Sequence, residues 1–166
     1  MGVKWKTTKD DFPKVKSQID GINGKSVQVG ANSANAWLAA IHEYGCTIKV
    51  TPKMRAYLHS QGLHLKADTT TIKIPERSFL RSGHDKYIDK VLDITEKAIG
   101  QVISGKMTEQ QFIDLVGEQM ATHIKTYMRD LSSPANHPFT VEQKGSSNPL
   151  VNTGQLIESI TWGDKL

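Results

Sequence analysis

Cysteine is almost absent from this 166-residue chain, and a lone Cys46 has no partner for an intrachain disulfide. A disulfide-stapled scaffold is thereby excluded, and a reducing cytoplasm suits the composition. Cys46 is expected to be a small thiol in the core. Long apolar runs are also lacking, since none approaches the roughly 20 residues that span a bilayer. The first twelve residues carry no signal-type apolar stretch, so the protein is expected to stay where it is made, without membrane contact.

Recognisable chemistry is equally sparse. The glycines at 21, 24, 30 and 45 are spaced as turn punctuation, with no phosphate loop or dinucleotide fingerprint among them. His42, Cys46, His59 and His64 invite a zinc reading. Gly45, however, is expected to end a helix between His42 and Cys46, and no second compact ligand pair follows. A Cys46 nucleophile served by His42, His59 or His137 lacks a recognisable nucleophile turn or oxyanion site. The expectation is a non-enzyme that needs no metal and no cofactor.

The chain does have an uneven charge. Residues 1–66 hold ten Lys and Arg against four Asp and Glu, and residues 67–166 hold eleven against thirteen, so the first part is +6 and the second −2. Lys4, Lys6, Lys9, Lys14 and Lys16 cluster around Trp5, a candidate basic surface for DNA or for an acidic protein. A length of 166 residues supports a core of its own and matches one domain.

Periodicity supplies the elements. Asp10, Asp11 and Pro13 read as a helix start, with Phe12, Val15 and Ile19 as its stripe, and Val27 and Val29 alternate as in a strand over 26–30. Trp37, Leu38, Ile41 and Tyr44 recur at helical spacing and Gly45 stands where a left-handed cap belongs, with Trp37 and Trp162 assigned to packing. Ile48 and Val50 predict a strand, Lys53 to Leu58 a helical turn, and Leu63 and Leu65 are expected to form a hairpin with Ile72 and Ile74. Tyr87 to Ile103 and Phe112 to Leu131 form two amphipathic stripes, the second opened by a Thr108 and Gln111 capping box. Residues 132–149 read as a long loop with Phe139 and Val141 as docking points, before a short helix near Thr153 and an extended end at Trp162. The predicted fold class is α+β: one small, mostly antiparallel sheet of three or four strands against a helical hairpin, spanning 1–166 as a single domain.

Two stretches carry a resemblance. AWLAAIHEYG (36–45), TIKVTPKMRAYL (47–58), Gly-Leu-x-Leu (62–65) and TIKIPERSFLR (71–81), followed by NPLVNTGQLIESITW (148–162), stand in an order that resembles the tail-completion or neck family of tailed bacteriophages. The resemblance implies a structural virion subunit that closes into a ring, most simply of six copies, at the tail's head-proximal end or neck. Its implied partners are further copies of itself and a tail terminator, tail-tube subunits or a head-tail connector, with non-specific contact to passing DNA. It implies a place in the virion after assembly in host cytoplasm.

On this reading the candidate interface comprises Glu76, Arg77, Phe79, Arg81, Thr153, Gly154 and Leu156. Phe79 anchors a turn while Arg77 and Arg81, four apart, point outward to carboxylates or phosphate, or form an ion pair with Asp85. Reversing both arginine charges is then expected to leave the fold intact. Thr153 is expected to cap the last helix, with Gly154 easing its entry. The rival is a monomeric nucleic-acid-binding module using the Lys-rich N-terminus, distinguishable by a steep salt dependence.

Overall fold

The computed structural model describes residues 10–163, and the fold class is α+β. The elements run α1 (Phe12–Ile22), β1 (Val29–Ala31), α2 (Ala36–Tyr44), β2 (Cys46–Lys49), α3 (Pro52–Ser60), β3 (Thr71–Ile74), α4 (Leu80–Ile103), α5 (Glu109–Asp130), α6 (Pro138–Lys144), α7 (Gln155–Glu158) and β4 (Ile160–Trp162). The two stripes form the expected hairpin, with α4 and α5 side by side. The Thr108 hydroxyl accepts from the Gln111 N–H and the Gln111 side chain from the Thr108 N–H, completing the capping box.

The single sheet is a correction. Among the described residues there are two separate antiparallel ribbons, each of two strands. In the first, β1 pairs with β4, matching Val29 to Trp162 and Ala31 to Ile160, and the ribbon lies on α5. In the second, β2 pairs with β3, Cys46 facing Ile74 and Ile48 facing Ile72. Leu63 and Leu65 are not in a strand, because Leu63 closes the end of α3 through its N–H to the Leu58 carbonyl. The partner of Ile72 is therefore the more distant Ile48, and Cys46 is a half-buried strand residue rather than a core thiol.

Three further expectations fail locally. Residues 132–149 are not a structureless loop: α6 starts at Pro138, capped by His137 Nδ1 accepting from the Phe139 N–H, and stops at Gly145 in the left-handed region. Gly45 does end α2, but with φ 72° and ψ 170°, an extended glycine-only conformation that sends the chain straight into β2. Trp37 is not a core residue and stays 76% exposed.

The core joins distant parts of the chain. Phe79, Val91, Met120, Ile124 and Met128 from the hairpin region meet Leu150, Leu156, Ile157 and Ile160 from the closing segment. Trp162 lies flat across Gly117 of α5, where an added Cβ would overlap the indole ring. The missing side chain lets the β1–β4 ribbon approach the helix.

Two glycine substitutions should therefore move stability in opposite directions. Gly117→Ala is expected to destabilise by about 2 kcal/mol, because the displaced indole costs more than helix propensity returns. Gly100→Ala, in the same helical hairpin but with open space at its Cβ, should stabilise by up to about 1 kcal/mol. Thermal unfolding of the two variants beside the parent chain checks both signs.

Candidate assembly interface

Phe79 and Arg81, with Glu76 joined through Arg81, gather around a carboxylate that is not among the candidate interface residues. Glu43, near the end of α2, is 2% exposed. Its Oε2 accepts from the N–H groups of Phe79 and Leu80, both at 2.8 Å, and its Oε1 from the Arg81 N–H at 3.0 Å, the Ser78 hydroxyl at 2.9 Å and Arg81 Nε at 2.9 Å. Phe79, the residue in the cap position of α4, has no side chain able to accept from those amides. Glu43 caps α4 from a different helix, placing negative charge at the positive end of the dipole. Burial alone would raise its pKa; the bonds from the Leu80 and Arg81 amides, the Arg81 guanidinium and Ser78 outweigh burial and hold the pKa below the usual range.

Arg81 keeps an exposed side chain, donates to Glu43 and to Glu76 Oε1 at 2.8 Å, and lies 4.9 Å from the centre of the Tyr44 ring. Its partners are thus Glu43 and Glu76, not Asp85, which instead lies 3.1 Å from His84 Nδ1. The outward arginine pair is a correction for Arg77, which is 5% exposed. Its Nε donates to the Pro134 carbonyl at 2.8 Å and its Nη2 to the Ala135 carbonyl and Asn136 Oδ1, both at 3.1 Å, while its own N–H reaches the His42 carbonyl at 2.7 Å. Arg77 is an internal clamp between α2 and the segment before α6, so charge reversal there breaks the fold. A spacing of four places both arginines on one helical face only within a helix, and α4 begins at Leu80, after Arg77.

Phe79 and Leu156 are core residues at 0% and 5% exposure, so neither lies on an interface of the folded subunit. Thr153 and Gly154 are reachable. Thr153 Oγ1 accepts only a long 3.5 Å bond from the Gln155 N–H, and Gly154, at φ 86°, takes the cap position itself. In the same motif Asn148 does more. Its Oδ1 accepts from the Leu150 and Val151 N–H groups at 2.9 Å and its Nδ2 donates to the Met128 and Arg129 carbonyls, tying the closing segment to the end of α5. Glu43 and Asn148 both lie inside the quoted stretches, but no local pattern marks a residue whose partners are 35 or 20 positions away.

Of the basic candidates, Lys14 and Lys16 are exposed on α1, with Lys14 Nζ beside Gly105, while Lys4, Lys6 and Lys9 lie outside the described residues. Lys14 and Lys16 are therefore remote in sequence from the Glu43 node and on a separate element. His59 and His64 meet in α3 and the turn after it, Nδ1 to Nδ1 at 2.7 Å. Among the described residues no three His, Cys, Asp or Glu side chains converge as metal ligands.

Large apolar side chains are exposed at several places, among them Phe12 of α1 and Leu92 of α4. Trp37, Tyr44 and Tyr57 are 76%, 66% and 62% exposed. From Tyr44 to Glu76, which spans β2, α3 and β3, no residue is buried. Arg55 holds this arm together by donating to the carbonyls of Leu65, Lys66 and Thr69. Comparison with family models, with curated proteins and with solved structures found no match for this chain.

Glu43→Ala should cost about 3 kcal/mol or more, because three buried or half-buried amides and one guanidinium lose their acceptor. Glu43→Gln should recover part of that loss, and urea unfolding orders the three chains. Acid should act in two stages. Burial first, then Arg77 and Lys144, lower the His42 pKa from 6.5 to about 4, so the unfolded chain binds the extra proton and stability falls as pH drops from about 6.5 to 4, by about 2 kcal/mol after screening. Glu43 is depressed below 4.5, so its contribution is lost at still lower pH as it becomes protonated. Stability curves of the parent and His42→Gln should diverge only in the upper window.

Proposed function

We propose that this chain is a structural, non-enzymatic virion protein of a tailed bacteriophage, a ring subunit that completes the tail or joins it to the head. The observation that carries the reading is the arm from Tyr44 to Glu76, which contains two strands and a helix yet buries no residue. A two-stranded ribbon is marginal on its own, and among the described residues β2 and β3 each leave an outer edge unpaired while Ile48, Ile72 and Ile74 remain half-buried. Free edges and large exposed aromatics are the usual anchors of subunit contacts.

The same arm coincides with the stretch that resembles tail-completion and neck proteins, and Glu43 and Arg81 anchor its two ends to the core. A rigidly rooted arm that lacks its own core is suited to lying on a neighbour, copy after copy, until the ring closes. Partners on this reading are further copies, a tail terminator, tail-tube subunits or a connector, with incidental contact to DNA passing through. Work in the host cytoplasm precedes a final place in the tail or neck.

The deciding experiment is electron microscopy of particles from a phage with a nonsense codon in this gene. Full heads beside unattached or overlong tails are expected, and normal particles would overturn the reading. A variant carrying Trp37→Asp and Tyr57→Asp should melt within about 0.5 kcal/mol of the parent, as exposed substitutions do, yet fail to restore joined particles. Restoration by that variant would remove the aromatic face from the interface. If the particles are normal and the pure chain retards DNA with a steep salt dependence, the basic nucleic-acid module takes its place.

A further inference from the structure

Beside the root of the arm lies a cavity of about 280 Å³, walled by α2, α6 and the chain from Pro149 to Leu156. Three features there are unexplained by the assembly of the core. His42 faces the cavity and its Nδ1 is buried with no hydrogen-bond partner, one of two such side-chain atoms among the described residues. Lys144 also lines the cavity; its Nζ donates to the carbonyls of Asn148 at 3.0 Å and Pro149 at 3.4 Å, which satisfies two of its three N–H groups and none of its charge. Arg77 stands close enough to perturb both groups and is held by two carbonyls and an amide oxygen.

The region therefore concentrates positive charge without a counter-charge. Neither Arg77 nor Lys144 makes an ion pair among the described residues. Glu43 adjoins His42 in sequence, but its oxygens are taken up by residues 78–81. Glu158 approaches the rim at Gly154 from the exposed side of α7. Burial and then Arg77 lower the pKa of Lys144, and burial, Arg77 and Lys144 lower that of His42. Burial leads both shifts and the neighbouring positive charges add to them, a repulsion that a bound anion would relieve.

We propose that this cavity is a carboxylate-binding site, with Lys144 supplying the charge and its remaining N–H, Thr140, Asn152 and Gln155 supplying neutral polar groups around the mouth, and the His42 ring, whose Nδ1 is sealed from the cavity, standing in the wall beside the bound charge. One lysine in the wall, without an ion pair among the described residues, matches one negative charge. A phosphate dianion would bring a second charge and further oxygens into a site with too few donors, at a larger desolvation cost. The carboxylate comes either from a small free acid or from an Asp or Glu side chain of a docked protein. The assignment stands apart from the assembly reading, because it uses none of the exposed aromatics of the arm.

The test is a histidine-selective NMR titration of the full chain, with the His42 signal assigned by its loss in His42→Gln. Acetate, glutarate, inorganic phosphate and a short Glu-containing peptide are added at constant ionic strength against chloride. The expected result is a saturable shift of the His42 ring with the carboxylates, accompanied by a rise of about one unit in its pKa, since linkage requires the anion to favour the protonated ring. Lys144→Met should weaken acetate binding about tenfold, and Lys144→Arg should retain it. A peptide bound about tenfold more tightly than glutarate assigns the source to a protein side chain, and equal affinities assign it to a free acid. Acetate indistinguishable from chloride, saturation by phosphate alone, or a folded Lys144→Met that binds acetate undiminished would overturn the proposal.

Discussion

A carboxylate enclosed by protein is destabilising unless its oxygens are fully engaged, and at Glu43 they are engaged by the opening turn of the longest helix in the chain. The amides of Phe79, Leu80 and Arg81 open α4 without a carbonyl partner inside the helix, and the acceptor they find is Glu43, from a different helix. One group thereby settles two otherwise unfavourable sets of polar atoms. The arrangement also fixes where α2 lies against α4, and with it the distance between the two roots of the arm. Arg77 and Asn148 extend this frame, the first clamping the segment before α6 and the second holding the closing strand to α5.

Stability is consequently concentrated on one side of that frame. Phe79, Met128, Ile160 and Val102 are essentially without solvent contact, and the closing segment contributes several of the surrounding side chains. The arm beyond it relies on ribbon hydrogen bonds and on Arg55, with little apolar burial. Local opening is governed by buried contacts, so the arm belongs to the less stable end of the molecule. A part poor in its own contacts that carries the exposed Tyr44 and Tyr57 has the most to gain from a neighbour. That link between packing and dynamics is what gives the assembly reading its physical content.

The cavity next to Lys144 follows a different logic. Arg77 and Lys144 are retained in partly dry surroundings with carbonyl dipoles as partners. Carbonyls orient a cation but leave its charge in place. The His42 ring stands in the same wall, its Nδ1 buried and unpaired. The result is a small polar site inside a region that otherwise seals the closing motif to the core.

Much of the framework was legible locally. Apolar residues at helical spacing marked α4 and α5, Thr108 with Gln111 marked their junction, and alternation marked β1, β2, β3 and the end at Trp162, because each of these patterns reflects backbone geometry within a few residues. Strand partners were not legible: Ile72 had two apolar alternations available upstream, and pairing with Ile48 rather than Leu65 depended on α3 turning back through Arg55. The candidate site divided in the same way. Arg81, Glu76, Thr153 and Gly154 are reachable as the motif suggested, whereas Arg77, Phe79 and Leu156 are buried, since burial depends on what the rest of the chain brings alongside. The sequence by itself determined the long helices α4 and α5, the capping box between them and the residues able to carry charge. Only the tertiary structure decided that Glu43 would receive the start of α4, that Arg77 would point inward and that Trp37 would remain in water, because each outcome rests on contacts between residues far apart in the chain.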